Sequence, residues 1–120
     1  MSSFGSKMMQ ISPKFLVAAA LGALLAMPLA QAADVEQGRQ KAEQICASCH
    51  GKDGNTPIDP TYPRLAGQHR DYLRHALIDY QTDQRKNPIM GAMAKQLSRA
   101  DVENLAAFYE SLPGTMSHRR

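Results

Sequence analysis

The chain has 120 residues, a formal net charge of +3 and two cysteines. This length supports one domain, whose hydrophobic core would be marginal without a further stabilising group. The small excess of basic residues argues against a nucleic-acid partner, because such proteins usually carry a clustered basic footprint.

Residues 1–32 resemble a secretory signal peptide. Lys7 and Lys14 supply a positive start, residues 15–26 are apolar, and Ala30-Gln31-Ala32 offers a small-residue cleavage site. The apolar run is shorter than the about 20 residues that a membrane-spanning helix needs, so we expect cleavage rather than a retained anchor. Cleavage after residue 32 would remove Lys7 and Lys14 and lower the net charge from +3 to +1. We expect the remaining protein to be soluble in the periplasm.

A first helix is predicted to begin at Asp34, whose carboxylate can accept hydrogen bonds from early backbone amides. Apolar residues then recur on one helical face at Val35, Ala42 and Ile45. Gly38 lies inside this pattern, where it costs up to about 1 kcal/mol relative to alanine, and a close contact with another helix would compensate for it. The helix should lead directly into the cysteines.

The segment Cys46-Ala47-Ser48-Cys49-His50 is a C-x-x-C-H motif, the attachment signature for a covalent haem. Thiols at this spacing form thioether bonds to the two vinyl groups of the porphyrin, and the adjacent imidazole then reaches the iron as its first axial ligand. We therefore predict one haem c, bound through Cys46 and Cys49 and ligated by His50. In a chain this small, the haem should also stabilise the fold.

A loop and a middle helix follow the motif. Three glycines and three prolines between residues 51 and 67 exclude a regular element there. Apolar and aromatic side chains recur at helical spacing from His69 to Tyr80, and Asn87-Pro88 prevents that helix from continuing.

The last predicted helix begins at Ser98, where an S-x-x-D capping pattern precedes an amphipathic run, and it stops before Pro113-Gly114. No alternating strand pattern occurs in the sequence. We therefore expect one all-α domain over residues 33–116, with about three main helices around one haem, and a polar tail at 117–120.

The other face of the iron decides the chemistry, because methionine gives an electron carrier whereas an open position permits gas binding or peroxide chemistry. Met90 and Met93 lie between the middle and last helices, in a segment that could fold across the face opposite His50. A thioether is soft and suits haem iron. The residues alone leave both methionines as candidates.

The chain resembles a class I cytochrome c, most closely the single-haem periplasmic carriers and each half of their dihaem relatives. The resemblance covers nearly all of the chain after the signal peptide. Three stretches carry it: Gly51-Lys52-Asp53-Gly54-Asn55, Tyr62-Pro63-Arg64-Leu65-Ala66-Gly67-Gln68 and Leu105-Ala106-Ala107-Phe108-Tyr109.

This resemblance implies roles for several residues. The family's usual second axial ligand is the first methionine of an M-x-x-M pair, which corresponds to Met90. The family's proline whose carbonyl accepts from the ligand histidine corresponds to Pro63, and such a bond would fix the ring and leave Nε2 for the iron. The family also packs its first helix on its last, which would place Gly38 opposite the Phe108-Tyr109 region.

Other interpretations compete with this site. Cys46 and Cys49 could form a thioredoxin-type disulfide, but that fold needs βαβ units, and a closed zinc site needs four ligands where no further cysteine exists. Met93 could exchange roles with Met90 as a core gap-filler. A bis-histidine haem would need one of the remaining histidines, His69, His75 or His118.

The surroundings of the haem are less specific in the sequence. A guanidinium of Arg64 or Arg70 could pair with a haem propionate, although solvated charge is the more common fate of surface arginines. Core or haem-crevice positions are expected for the four tyrosines, Tyr62, Tyr72, Tyr80 and Tyr109.

The resemblance implies a monomeric one-electron carrier that has no substrate chemistry of its own. It would accept electrons from a membrane or periplasmic donor and pass them to an oxidase or reductase, so its partners would be redox proteins. Two rivals remain: a haem enzyme or gas sensor with an open sixth coordination site, and a dedicated cytochrome subunit of a periplasmic dehydrogenase.

Overall fold

A computed structural model describes residues 31–115. These residues form five helices: α1 (Val35–Ile45), α2 (Ala47–His50), α3 (Arg70–Gln81), α4 (Pro88–Lys95) and α5 (Arg99–Ser111). No strand occurs in this range, and the all-α prediction is confirmed. The predicted cleavage site is only partly described, from residue 31 onward, and the predicted polar tail at residues 117–120 lies outside the described range. The two predicted domain boundaries therefore stay predictions. Within the described range, no helix is long and apolar enough to cross a membrane.

The helix starts that local sequence predicted are present. The Asp34 carboxylate accepts from the backbone amide of Gln37 at 3.0 Å and so caps α1. A reciprocal capping box opens α5, where Ser98 Oγ accepts from the Asp101 amide at 3.1 Å and Asp101 Oδ2 accepts from the Ser98 amide at 2.9 Å. Each bond satisfies an amide that the first helical turn would otherwise leave unpaired.

Helices α1 and α5 cross in close contact at Gly38. A Cβ atom at Gly38 would lie 2.9 Å from the Cβ of Phe108 and would overlap the carbonyl oxygen of Asn104. The buried Asn104 side chain also accepts from the backbone amide of Asp34 at 2.7 Å. The predicted close approach at Gly38 is therefore confirmed. Val35, which was predicted to share the apolar face of Ala42 and Ile45, is 44% exposed. It occupies the first turn of α1, before the crossing at Gly38.

Helix α4 was not predicted, because Asn87-Pro88 was interpreted only as the end of the middle helix. Pro88 instead occupies the first turn, where its missing amide hydrogen is not needed. The Asn87 side chain caps this helix by accepting from the amides of Ile89 and Met90, each at 3.0 Å. Met90 is therefore carried on the first turn of a helix.

The core is formed by eight buried side chains of α1, α3, α5 and the connection from α4 to α5: Ala42, Leu73, Leu97, Val102, Leu105, Ala106, Phe108 and Tyr109. Residues 51–67 form turns without a regular element, as predicted. The carbonyl of Gly54 accepts from the amides of Leu65 and Ala66, at 2.7 and 2.9 Å, and the Gly67 amide donates to the Tyr109 carbonyl at 2.9 Å. These bonds fasten the loop to itself and to α5.

Candidate haem site

A cavity of about 460 Å³ is lined by residues of α2, the following loop, α3, α4 and α5. Its volume falls in the range of about 300–1,000 Å³ that is typical of small-molecule and cofactor pockets. Much of the lining is aliphatic, and these residues are Leu65, Leu73, Ala76, Leu77, Leu105 and Ala106. The cavity therefore suits a large apolar group that needs a few polar contacts.

His50 lies on this cavity and is only 5% exposed. Its Nδ1 is 2.8 Å from the carbonyl oxygen of Pro63, as the resemblance implies. A carbonyl can only accept, so Nδ1 must carry the proton and Nε2 keeps its lone pair. The Tyr62 ring meets the imidazole edge-on, with ring centres 6.1 Å apart. The imidazole is thus held in the tautomer and orientation that a metal ligand requires.

Cys46 lies between α1 and α2, and Cys49 lies within α2. Cys46 lines the cavity, and its carbonyl accepts from the His50 amide at 3.0 Å, so one helical turn places both residues at the same site. Burial raises the pKa of the Cys46 thiol, while a hydrogen bond with the Tyr109 hydroxyl opposes that rise. Cys49 is half-buried, does not line the cavity, and its sulfur lies 3.9 Å from the Ser48 hydroxyl.

The structure separates the two candidate methionines. Met90 is half-buried and lines the same cavity as His50. Met93 is 37% exposed, does not line the cavity, and its sulfur lies 3.5 Å from Nε2 of Gln96. A thioether and an imidazole therefore face one apolar space from different helices.

The candidates for a second histidine ligand lie elsewhere. His69 precedes α3 and His75 lies within it; both are exposed, and neither lines the cavity. His118 lies outside the described residues. The bis-histidine alternative therefore finds no support in the part of the chain that the structure describes.

The arginines and tyrosines that were expected near the haem differ in whether they line the cavity. Arg64 lines the cavity, whereas Arg70 forms an ion pair with Glu103 at 3.3 Å and does not line it. Sequence reasoning missed Arg85, which also lines the cavity and lies in the connection between α3 and α4. Three of the four tyrosines line the cavity, namely Tyr72, Tyr80 and Tyr109.

The donor set at this cavity fits a c-type haem. His50 offers a nitrogen with a fixed tautomer, Met90 a soft thioether and Cys46 a thiol, all on an apolar space of suitable size. Cys49 lies one position before His50 in the same short helix.

Comparisons with known proteins agree with this chemistry. Residues 33–108 match the family model described as cytochrome c oxidase, cbb3-type, subunit III. Cytochrome c4 of Thiocapsa roseopersicina is 40% identical over 85 residues, which cover 71% of this chain and 43% of that protein. A thiosulfate dehydrogenase electron acceptor of Stutzerimonas stutzeri (strain A1501) is 38% identical over 100 residues, which cover 79% of this chain and 46% of that protein.

The fold of this chain is also similar to that of a solved cytochrome structure. The crystal structure of reduced recombinant cytochrome c4 from Pseudomonas stutzeri matches with a TM-score of 0.64 at 36% identity, covering 70% of this chain and 48% of that one. The chain thus spans about half the length of the curated relatives it matches.

Proposed function

Because this chain belongs to the cytochrome c family, we propose that it is a one-electron carrier with one haem c bound between His50 and Met90. The observation that carries this proposal is that these two side chains face one largely apolar cavity, with the imidazole already oriented by the Pro63 carbonyl. When bound, a haem c supplies a reversible one-electron iron couple.

Each site residue has a distinct role in this proposal. Cys46 and Cys49 hold the group covalently through thioether bonds, and His50 provides the nitrogen ligand. Pro63 contributes only its carbonyl, which keeps the proton on Nδ1 and the lone pair on Nε2. Met90 provides the sulfur ligand from the first turn of α4. Two strong ligands leave no position open for a substrate, so the chain would move electrons without chemistry of its own.

The fold supports the methionine side of the site through a contact between α3 and the end of α4. The side-chain amide nitrogen of Gln81, Nε2, donates to the backbone carbonyls of Ala94 and Leu97, at 2.9 and 3.0 Å. At the surface beside this contact, Lys95 forms an ion pair with Asp83 at 2.8 Å. A ligand held by a fixed helix moves little when the iron changes charge, and a small rearrangement favours fast electron transfer.

The partners in this proposal are other redox proteins. One relative is named as an electron acceptor of thiosulfate dehydrogenase, so an oxidising enzyme is a suitable donor class for this chain. The signal-like residues 1–32 support export, and we place the protein in the periplasm, where its interactions would be transient. We propose a monomer with its amino terminus at residue 33.

The test is expression of the full chain in a bacterium that attaches c-type haem. We expect a periplasmic, haem-containing product that begins at Ala33, titrates as a reversible one-electron couple, and does not bind carbon monoxide rapidly when ferrous. Rapid carbon monoxide binding by the wild type would reveal an open iron face and would favour the enzyme or sensor alternative. A product that contains no haem would contradict the proposed haem site.

A further inference from the structure

We propose that Arg85 is the ion-pair partner of a haem propionate, and that this pair raises the reduction potential of the site. The inference rests on the proposed function, because it needs a haem in the cavity. It concerns a residue that no sequence motif in the chain indicates and that only the fold brings to the cavity.

The charges that line the cavity are uneven. Arg64 and Arg85 both line it, whereas none of the lining residues is an aspartate or a glutamate. A cavity with two guanidinium groups and no acidic side chain is suited to a ligand that brings its own carboxylates. A haem meets this requirement through its two propionates.

The arginines of the described region fall into two groups, those with an acidic partner and those without one, and Arg85 belongs with Arg64 and Arg99 to the second group. Arg39, Arg70 and Arg74 each form an ion pair with a glutamate, and Arg39 forms two. Within residues 31–115, no acidic side chain forms an ion pair with Arg85. The Asp79 carboxylate acts on it only at longer range.

Two tyrosines of α3 hold the Arg85 side chain in place. Its Cζ lies 5.0 Å from the centre of the Tyr80 ring, and its Nη1 lies 3.5 Å from the Tyr72 hydroxyl oxygen. The Arg85 amide also donates to the carbonyl of Asp79 at 3.1 Å. The guanidinium is therefore positioned at both its backbone and its head, and both supporting tyrosines line the same cavity. Within the described contacts, Arg64 has no comparable support.

This placement has a predictable electrostatic effect. A bare carboxylate near the iron stabilises the ferric form, because that form carries the extra positive charge. A guanidinium paired with the carboxylate cancels this effect and lowers the pKa of the carboxylate. The groups that face Arg85 are Tyr72, Tyr80 and Asp79 from α3, while His50 and Arg64 share the cavity from α2 and the loop.

The experiment compares midpoint potentials across pH in haem-loaded wild type, Arg85→Met and Lys86→Met. Lys86 is the matched control, because it is the next residue, has the same charge and is exposed like Arg85, but does not line the cavity. We expect Arg85→Met to lower the potential by at least about twice the shift of Lys86→Met, since Arg85 would pair directly with the carboxylate whereas Lys86 would act on it only through screening solvent and salt. The pH range in which the potential falls should also move upward, because the unpaired propionate has a higher pKa.

Two conservative variants keep the inference testable if Arg85→Met does not accumulate. Arg85→Lys preserves the charge but not the planar fork, and Tyr72→Phe removes the hydroxyl that holds the guanidinium, so both should shift the potential in the same direction by a smaller amount. Equal shifts in Arg85→Met and Lys86→Met, or unchanged potentials in both conservative variants, would overturn the inference. Failure of the proposed function would instead appear in the wild type, as rapid carbon monoxide binding or a missing one-electron couple.

Discussion

Nδ1 of His50 lies 2.8 Å from the carbonyl oxygen of Pro63, thirteen residues later in the chain. This acceptor belongs to the backbone of a loop whose Gly54 carbonyl receives two amides, those of Leu65 and Ala66. The orientation of the imidazole therefore depends on the path of the loop and not on any side-chain acceptor. The role that the resemblance implies for Pro63 is available to any residue that keeps the same path.

Pro63→Ala should consequently leave the iron coordination intact. The carbonyl stays, and the main cost is the greater freedom of the unfolded chain, about 0.4–1 kcal/mol of unfolding free energy. Denaturant unfolding together with the ferric absorption spectrum measures both effects. Pro57→Ala, in the same loop but away from the cavity, is the control. A changed spectrum in Pro63→Ala alone would mean that the ring itself positions His50.

The two glycines within the described helices, Gly38 and Gly91, should respond oppositely to alanine. At Gly38 the new Cβ overlaps the Asn104 carbonyl and lies 2.9 Å from Phe108 Cβ, so Gly38→Ala should cost about 1–3 kcal/mol or prevent accumulation. At Gly91 the nearest atom, the Tyr80 carbonyl oxygen, is 3.9 Å away, so Gly91→Ala should stabilise by about 0.5–1 kcal/mol. Unfolding midpoints of the two variants test the contrast, and an unaffected Gly38→Ala would contradict the close crossing of α1 and α5.

The loop after the haem motif should make stability depend on pH through Asp53. Its pKa is lowered by hydrogen bonds from the Asn55 amide, the Thr56 hydroxyl and the Thr56 amide. A lowered folded-state pKa gives stability that is present above the unfolded value of about 3.9 and is lost as pH falls through the folded value.

Asp53→Asn keeps one acceptor oxygen but cannot titrate, so it isolates this contribution. The wild type should be more stable than Asp53→Asn near neutral pH, and the difference should shrink below about pH 4. Guanidinium unfolding of the haem-loaded proteins at several pH values measures it. A difference that stays constant down to strong acid would show that the charge of Asp53 is not involved.

The features that the sequence predicted correctly depend on neighbouring residues. The caps at Asp34 and Ser98 and the irregular loop before α3 follow from short patterns, and the structure confirms them. The class I cytochrome c fold is confirmed by the likeness to cytochrome c4. Gly38 was informative because a glycine inside a helix needs a reason, and the crossing with α5 supplies one.

The features that the sequence missed depend on the tertiary path or on the position of a residue within its element. Asn87-Pro88 was interpreted as the end of the middle helix, but a proline is also tolerated in the first turn of a new helix, and Asn87 caps α4 at that point. Arg85 had no motif to distinguish it, since its position at the cavity depends on contacts with Tyr72 and Tyr80 of α3, which line the same cavity. Val35 fitted the apolar period but lies before the helix crossing.

Ligation of the iron of a haem c by His50 and Met90 can be tested with the ferric spectra of Met90→Ala and Met93→Ala. Met90 lines the cavity, whereas Met93 is exposed and does not line it. We expect a methionine-to-iron charge-transfer band in the wild type that Met93→Ala retains and Met90→Ala loses, with carbon monoxide binding gained in ferrous Met90→Ala. A band that survives in Met90→Ala, or that is missing from the wild type, would contradict it.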